Sequence, residues 1–310
     1  MACYSIYGLS LESDVQLHTV LEPSPNSPYL RFTCTTEDVV RDVDRILLYE
    51  SPERGENGAA MFELYRVGEA FLISYPKSVD FYISTDTIRC HLHDPNLLWW
   101  VKILLLGPIL SFWLELKGML CLHASAIVTE QGAAGFLAFS KAGKTSIAAS
   151  FVQSGAALLT DDILPVLVDE DGKVMARSGY PQMRMWPEQA EYFAGDANRF
   201  PRVHPHKSKV RVPVRELGTF HEQPAKLRAL FLPQRQDPSI AGDITIDPMG
   251  TQDALMLLLS SSFPAPATRH VPEIQASRLE VASRIIEEVD LYRLNYPEGY
   301  DRLSDVRIAI

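Results

Sequence analysis

The sequence is poor in cysteine and carries no excess of positive charge. Only four of its 310 residues are cysteine, and no Cys-x-x-Cys pair occurs. This scarcity excludes a disulfide framework and a zinc site built on paired thiolates, and it favours a reducing, cytoplasmic compartment. Lysine and arginine number 29 against 39 aspartates and glutamates, for a formal net charge of −10. Broad electrostatic binding to nucleic acid or to an anionic membrane is therefore not expected, and any site for a polyanion has to be local.

A signal peptide and an uninterrupted membrane-spanning run are also missing. The start, Met1–Ser5, has neither the basic residues nor the apolar stretch of a signal peptide. One apolar run, 97–116, has spanning length, but a Gly-Pro pair interrupts it and it carries Lys102 and Glu115. We therefore expect a buried helix or two abutting helices there rather than a membrane span, and a cytoplasmic protein.

What remains is an ordinary globular composition, 46% hydrophobic and 22% charged, at a length that suggests two domains. We place a small β-rich domain at 1–95, which we expect to be antiparallel. Its short β-like runs are 29–34, 61–66, 70–75, 78–83 and 87–92. His91 and His93 lie two apart, on one face of the last run, but no cysteine or further histidine stands at ligand spacing nearby. The sequence therefore does not predict a metal site there.

The second domain, 96–310, contains a βαβ-like pattern. Apolar strand candidates at 120–129 and 135–139 precede a helix predicted over 144–154, and a further β-run follows at 157–168. A later strand candidate covers 227–232, and the apolar spacing at 276–288 suits an amphipathic helix.

A phosphate-binding loop joins strand and helix in this pattern. Residues 138–145 match G-x-x-x-x-G-K-[ST] at every fixed position but the first, where Ala138 replaces glycine. Because a helix N-terminus offers free N–H groups to an anion, we expect a nucleotide there, with Lys144 on the β- and γ-phosphates and the Thr145 hydroxyl on Mg²⁺. The loop residues assigned to nucleotide binding are Ser140, Lys141, Ala142, Gly143, Lys144, Thr145 and Ser146. The alternative is a surface helix start with an incidental lysine.

Two adjacent carboxylates, Asp161 and Asp162, stand at the end of the apolar strand after the loop. Neighbouring residues of a strand point to opposite sides, so both can serve one site only if the strand ends or bulges there. One would then hold Mg²⁺ while the other meets the incoming nucleophile. The alternative is a solvated turn at a strand end.

These segments together resemble a known family. Leu-His-Ala-Ser at 122–125, the loop, and Leu-Leu-Thr-Asp-Asp at 158–162 are similar to the C-terminal domain of the HPr kinase/phosphorylase family. The resemblance is close over 116–168 and looser over 179–187 and 291–297. It implies an α/β, phosphoenolpyruvate carboxykinase-like P-loop kinase domain that uses ATP and Mg²⁺ on a serine acceptor, in a homo-oligomer.

The resemblance also implies roles for single residues. Asp162 would take the proton from the acceptor serine, Asp161 would bind the metal beside Thr145, and His123 would support the site. Arg184 would contact nucleotide or acceptor phosphate, unless it is a surface arginine beside Trp186. Three further cations, Lys207, Lys209 and Arg211, alternate along a predicted strand and so share one face, which either lines the phosphate site or is a solvated edge.

The sequence predicts an acceptor different from that of typical family members. The Glu-x-Arg-Gly-Leu-Gly signature of HPr-specific enzymes is absent after Asp162, and Tyr180–Pro187 and Tyr7–Leu11 resemble a divergent branch that includes lasso-peptide tailoring kinases. The function predicted is therefore an ATP-dependent serine kinase acting on a peptide or small protein, with a lasso-type precursor as the preferred substrate. The alternatives are a nucleotide-dependent regulatory or binding module without turnover, and a kinase of free serine or a sugar.

Overall fold

The structure of this mixed α/β chain is a computed structural model, and it describes residues 1–17, 21–38, 43–55, 58–138, 142–237, 242–262 and 265–310. The residues group into two compact units. Unit 1 comprises Met1–Lys117 and Pro264–Ala276, and unit 2 comprises Gly118–Phe263 and Ser277–Ile310. The boundary expected between 95 and 96 falls inside unit 1, because the apolar run that follows it packs within that unit.

Unit 1 is built on an eight-stranded sheet of order β1-β2-β3-β8-β7-β6-β5-β4. The strands are β1 (Ala2–Ile6), β2 (Leu9–Ser13), β3 (Leu30–Thr35), β4 (Ile46–Glu50), β5 (Glu63–Val67), β6 (Ala70–Tyr75), β7 (Val79–Ile83) and β8 (Thr87–Leu92). Strands β4 to β8 form an antiparallel meander, as expected for β5 to β8, whereas β4 was not predicted. The expectation of a wholly antiparallel sheet is wrong for β2–β3 and β3–β8, which pair in parallel. The long connection 14–29 allows this, since a parallel pair needs the chain to return to its starting end.

The apolar run of unit 1 is divided, as expected from its Gly-Pro pair. A 3₁₀ turn (Pro95–Leu97) leads into α1 (Leu98–Leu104), a π-helical stretch (Leu105–Ile109) and α2 (Leu110–Leu116). Gly107 has non-helical angles, φ −118° and ψ −112°. By length and composition alone Pro95–Leu116 could cross a membrane, but 61% of its most apolar window is buried in the protein. Phe112, for example, packs against Phe71 of β6 at a ring-centroid distance of 5.3 Å.

Unit 2 contains a ten-stranded mixed sheet of order β17-β12-β10-β11-β18-β14-β13-β9, with β20 paired to β18 and β19 paired to β20. The strands are β9 (Leu120–Leu122), β10 (Ala124–Thr129), β11 (Gly132–Leu137), β12 (Ala157–Thr160), β13 (Leu164–Val168), β14 (Val174–Ala176), β17 (Thr219–Phe220), β18 (Ala225–Gln236), β19 (Thr245–Pro248) and β20 (Asp290–Pro297). Two further strands, β15 (Gln182–Met185) and β16 (Val210–Pro213), form a separate ribbon. The helices of unit 2 are α3 (Lys144–Gln153), α4 (Pro187–Ala194), α5 (Thr251–Ser260), most of α7 (Pro272–Glu288) and α8 (Leu303–Ala309). Helix α6 (Ala265–Thr268) and the start of α7 belong to unit 1.

Apolar side chains project from both faces of the unit 2 sheet and pack in two separate cores. On β11, Phe136 packs in the core that holds Ile147 of α3, whereas its neighbour Leu137 packs in the core that holds Leu258 of α5 and Ile285 of α7. Successive strand residues point to opposite faces, so a continuous apolar run is what a sheet covered on both sides requires. The helix predicted over 144–154 is confirmed, and strands form within each of the predicted β-runs around it.

Strand directions determine where a site can form. Strand β11 pairs in parallel with β18, and β18 pairs in parallel with β20. Strand β10 is antiparallel to both β11 and β12, so these two also run the same way. The carboxyl ends of β11, β12, β18 and β20 therefore lie at one edge of the sheet, which is where ligands bind in open α/β sheets.

Candidate active site

The predicted phosphate-binding loop ends in a glycine that a larger residue could replace only with strain and a collision. Gly143 has φ +93° and caps α3, and a Cβ built on it would lie 2.0 Å from the Tyr296 hydroxyl oxygen. That hydroxyl donates to the Ala142 carbonyl at 3.3 Å, so the end of β20 braces the loop. Ser140 and Lys141 of the assigned nucleotide set lie outside the described residues.

Lys144 begins α3 and is only 8% exposed. Its ammonium donates to the Ala138 carbonyl across the loop. Burial lowers the pKa of Lys144, and the carboxylates of Asp161 and Asp162 partly oppose that shift. A buried ammonium at the N-terminus of a helix makes a strong centre of positive charge for a phosphate.

Asp161 accepts three hydrogen bonds. The Ser125 hydroxyl donates at 2.5 Å, the Thr145 hydroxyl at 3.0 Å and the Arg184 backbone N–H at 2.7 Å. These contacts place a carboxylate oxygen beside the first hydroxyl of α3. Oxygen donors of this kind are the ligands that Mg²⁺ prefers, so Thr145 and Asp161 fit the metal role expected for them.

Asp162 turns away from its neighbour because the strand has ended. Strand β12 stops at Thr160, and Asp162 has φ +90°, a conformation that aspartate tolerates better than most residues. Its carboxylate forms an ion pair with Arg184 and lies 3.7 Å from Nδ1 of His123. Burial raises the pKa of Asp162, but Arg184 first and then His123 outweigh it, so the net pKa is lowered. The carboxylate is therefore ionised at neutral pH.

His123 lies at a break that the sequence did not reveal. The strand expected over 120–129 is divided into β9 and β10 at this residue, whose backbone N–H donates to the Ser261 carbonyl at 2.6 Å. The β-run 157–168 is divided at the two aspartates, in agreement with the strand end that the sequence places before Asp161. Burial lowers the pKa of His123, against the pull of Asp162, so the imidazole is neutral at pH 7.

These side chains line one cavity of unit 2, with a volume of about 450 Å³. That is within the range of small-ligand sites, roughly 300–1,000 Å³. The lining residues are His123, Ala142, Gly143, Lys144, Thr145, Ser146, Asp161, Asp162, Arg184, Trp186, Glu188, Gln189, Ser208, Lys209, Arg235 and Tyr300. The structure thus brings together every described residue that the sequence assigned to the site.

Two alternatives concerned cations near the site: whether Arg184 is a surface residue, and whether the cations at 207, 209 and 211 line the cavity. Arg184 is not a surface arginine, since its side chain is 16% exposed and paired with Asp162. Of the alternating cations only Lys209 lines the cavity, with its ammonium 5.1 Å from the Trp186 ring centroid. The strand face expected to be shared by Lys207, Lys209 and Arg211 is wrong, because β16 begins at Val210 and both lysines lie before it. Arg211 pairs across β15–β16 with Arg184.

Sequence reasoning missed several contributors. Ser125, which holds Asp161, stands in the Leu-His-Ala-Ser motif, and that proximity was the available signal. Arg235 and Tyr300 come from the end of β18 and from the segment after β20. No local pattern marks them; only the parallel pairing of β11, β18 and β20 brings them to the loop.

Comparison with known proteins finds a likeness among solved structures. A scan against protein-family models and a search of curated proteins found no match. A search of solved structures matched the HPr(Ser) kinase/phosphatase from Coxiella burnetii, at 8% sequence identity and a TM-score of 0.30, over 61% of this chain and 96% of that one. At this TM-score the likeness carries no argument about function, which rests on the geometry of the site.

Proposed function

We propose that this protein is an ATP- and Mg²⁺-dependent kinase that transfers the γ-phosphoryl group to a serine hydroxyl of a peptide or small protein. The observation that carries the proposal is the 3.0 Å contact of the Thr145 hydroxyl with Asp161, beside a second, ionised carboxylate at Asp162. A module that only holds a nucleotide has no use for the second carboxylate.

The phosphates would be bound by the loop. Lys144 and the N–H groups at the start of α3 would neutralise the β- and γ-phosphates, and Arg184, Lys209 and Arg235 bring further positive charge to the same cavity. Thr145 and Asp161 would hold Mg²⁺, which when bound supplies charge neutralisation on the transferring phosphoryl group. A chain of net charge −10 can bind a polyanion only at a local cluster of cations, and this cavity contains such a cluster.

Asp162 would position the acceptor. The serine O–H bond breaks, an O–P bond forms, the bond from the γ-phosphorus to the bridging oxygen breaks, and ADP leaves. The proton passes to Asp162. Because Arg184 lowers the pKa of this carboxyl, Asp162 is a weak base, and it would orient the hydroxyl first and receive the proton late in the transfer. A loose phosphoryl-transfer transition state makes little demand for early deprotonation.

For the acceptor we propose a lasso-type precursor peptide. Support for this choice comes from the sequence resemblance of Tyr180–Pro187 and Tyr7–Leu11 and from the missing signature of HPr-specific enzymes. Free serine and sugars are the competing acceptors, and they enter the test below.

The test incubates the full chain with γ-labelled ATP, Mg²⁺ and a panel of serine-ended peptides, with HPr, free serine and hexoses in parallel. Lys144→Ala should lose about 2–3 kcal/mol of nucleotide binding, measured by calorimetry, because a charge-assisted contact is removed. Lys173→Ala, at a 52% exposed lysine of unit 2, is the matched control.

Asp162→Asn separates a kinase from a binding module. Asparagine also tolerates positive φ, so the turn is preserved where alanine would strain it. ATP binding should survive, while transfer should fall by roughly 10²–10⁴-fold. Asp171→Asn, at a 73% exposed aspartate, should change neither. Tight ATP binding without transfer to any hydroxyl of the panel would contradict the proposal, and efficient labelling of HPr would contradict the choice of acceptor alone.

A further inference from the structure

A second group of chemically active side chains lies in unit 1, outside the nucleotide cavity. Asp80 of β7 and His91 of β8 are cross-strand neighbours in the antiparallel pair. His93 follows His91 by two positions, and a strand places such residues on one side. The carboxylate oxygen Oδ2 of Asp80 lies 3.6 Å from Nδ1 of His91 and 2.7 Å from Nε2 of His93. The three side chains therefore converge on one point.

The two imidazoles are held in a shared orientation. Their rings stack with centroids 4.4 Å apart and an angle of 25° between the planes. Nδ1 of His91 is buried and makes no hydrogen bond to any described residue. A buried polar nitrogen without a hydrogen bond is costly, so its retention at this position calls for a ligand.

The spacing fits a metal ion. Within the described ranges, Asp80, His91 and His93 are the one group of three histidine, cysteine or acidic residues whose ligand atoms all lie within 4.8 Å of one another. A tetrahedral zinc ion with bonds of about 2.0–2.1 Å would separate its ligand atoms by about 3.4 Å. The observed separations from Asp80, 2.7 and 3.6 Å, lie on either side of that value.

A second carboxylate stands close by. Oδ1 of Asp38 is 3.9 Å from Nδ1 of His91, and its side chain is 40% exposed. It can complete the coordination, or water can. Imidazole nitrogen and carboxylate oxygen together suit Zn²⁺, whereas a site for Mg²⁺ or Ca²⁺ would be built from oxygen alone.

We propose that Asp80, His91 and His93 bind one Zn²⁺ ion, which ties β7 to β8 and to the segment that leads into α1. Nε2 of His93 and the Asp80 carboxylate share a hydrogen bond at 2.7 Å. For Nε2 to bind the ion, the imidazole proton has to be on Nδ1, a change of tautomer that releases no net proton. The site is independent of the proposed kinase function.

The test is a calorimetric titration of Zn²⁺ into the full chain, previously treated with chelator and free of nucleotide. Wild type should bind one Zn²⁺, and His93→Gln and Asp80→Asn should each lower the affinity by at least about 10–100-fold. Loss of a ligand should cost no less than loss of a group that hydrogen-bonds to a ligand. His206→Gln is the matched control, since His204 and His206 have the same spacing in unit 2. Asp161→Asn shows whether zinc captured near Thr145 contributes.

A wild-type affinity for Zn²⁺ that His93→Gln and Asp80→Asn leave unchanged would overturn the proposal. A measurement on wild type alone guards against variants that fail to fold. With Co²⁺ in place of Zn²⁺, a tetrahedral site of nitrogen and oxygen ligands should give visible absorption that saturates at one ion per chain. Absence of that absorption would equally overturn the assignment.

Discussion

Asp161 and Asp162 are adjacent in the chain and differ in almost every physical respect. Asp161 is 7% exposed and accepts hydrogen bonds from two hydroxyls and a backbone N–H. Asp162 faces a guanidinium and an imidazole. A carboxylate held by neutral donors keeps its charge available to a cation, whereas one paired with arginine is already partly neutralised. The difference in partners is the physical reason to assign metal binding to the first and acceptor positioning to the second.

The metal role proposed for Asp161 predicts a changed magnesium requirement. Asp161→Asn keeps an oxygen for Ser125 and Thr145 but removes the charge, and it turns an amide N–H₂ toward the Arg184 N–H. The Mg²⁺ concentration that half-saturates ATP binding should rise at least about tenfold. Calorimetry at a series of Mg²⁺ concentrations measures it, with Asp171→Asn as the control. An unchanged requirement would place the metal elsewhere.

His123 predicts a pH dependence of stability. Because burial lowers its pKa in the folded chain below the ordinary value of 6.5, the unfolded chain binds a proton more readily. The stabilisation is therefore complete above pH 6.5 and is lost as pH falls from 6.5 toward the lowered pKa. His123→Asn should melt with a flatter dependence of Tm on pH across that window, whereas His206→Gln should follow wild type. Parallel melting curves for His123→Asn and wild type would contradict the shift.

The backbone between β11 and α3 explains why alanine can stand at the first position of the predicted phosphate-binding loop. The non-glycine residues described with positive φ are Tyr7, Lys77 and Asp162, so Ala138 has no need of glycine's freedom. Its carbonyl also receives the Lys144 ammonium, a contact that any residue could supply. The departure from the loop pattern at position 138 is therefore compatible with the fold.

This reasoning predicts opposite outcomes at the two ends of the loop. Ala138→Gly should leave ATP affinity within about twofold, since it removes only a methyl group. Gly143→Ala should cost at least about tenfold, because a left-handed backbone strains alanine by roughly 1–2 kcal/mol and its Cβ meets Tyr296. Gly155→Ala, at φ +104° with nothing near its Cβ and outside the loop, is the control for left-handed strain and should leave ATP affinity unchanged. Calorimetry on the three variants decides, and equal affinities at 138 and 143 would contradict the loop geometry.

The limits of sequence reasoning are visible in the strands. Alternating and continuous apolar runs predicted β5 to β8, β11 and β18 within a few residues, because side-chain periodicity is a local property. The end of a strand before Asp161 was predicted, but the break at His123 was not. The run 120–129 stays rich in β-forming residues on both sides of His123, and the strand ends there because its partners change. Strand β9 pairs with β13, whereas β10 pairs with β11 and β12.

At the scale of the whole molecule, chain order and spatial grouping differ. The segment Pro264–Ala276 belongs to unit 1 although it follows most of unit 2 in sequence. Arg66 of β5 pairs with Glu273 within that unit, a contact over 207 positions. Non-local contacts of this kind leave no local pattern, which is why the sequence suggested two consecutive domains.

A nucleotide bound in unit 2 should protect that unit from local opening. At an ATP concentration of about 100 times Kd, binding stabilises the folded state by about 2.7 kcal/mol. Backbone amides of α3 and β12 that exchange through openings incompatible with binding should slow by up to about 100-fold, while those of β7 and β8 keep their rates. Hydrogen exchange with mass spectrometry measures this, with Lys144→Ala as the control. Equal protection in the variant would place the nucleotide outside the loop.

The contact between Gly143 and Tyr296 constrains the two positions to different degrees, since position 296 should tolerate substitution and position 143 should not. A phenylalanine at 296 removes the oxygen that stands 2.0 Å from the built Cβ and forfeits one hydrogen bond, to Ala142. It still leaves position 143 with φ +93°, where an L side chain is strained. Relaxing the neighbour therefore does not release the glycine. In a library of variants selected for ATP binding, substitutions should be found at position 296. They should be absent at position 143, even in variants that no longer carry Tyr296.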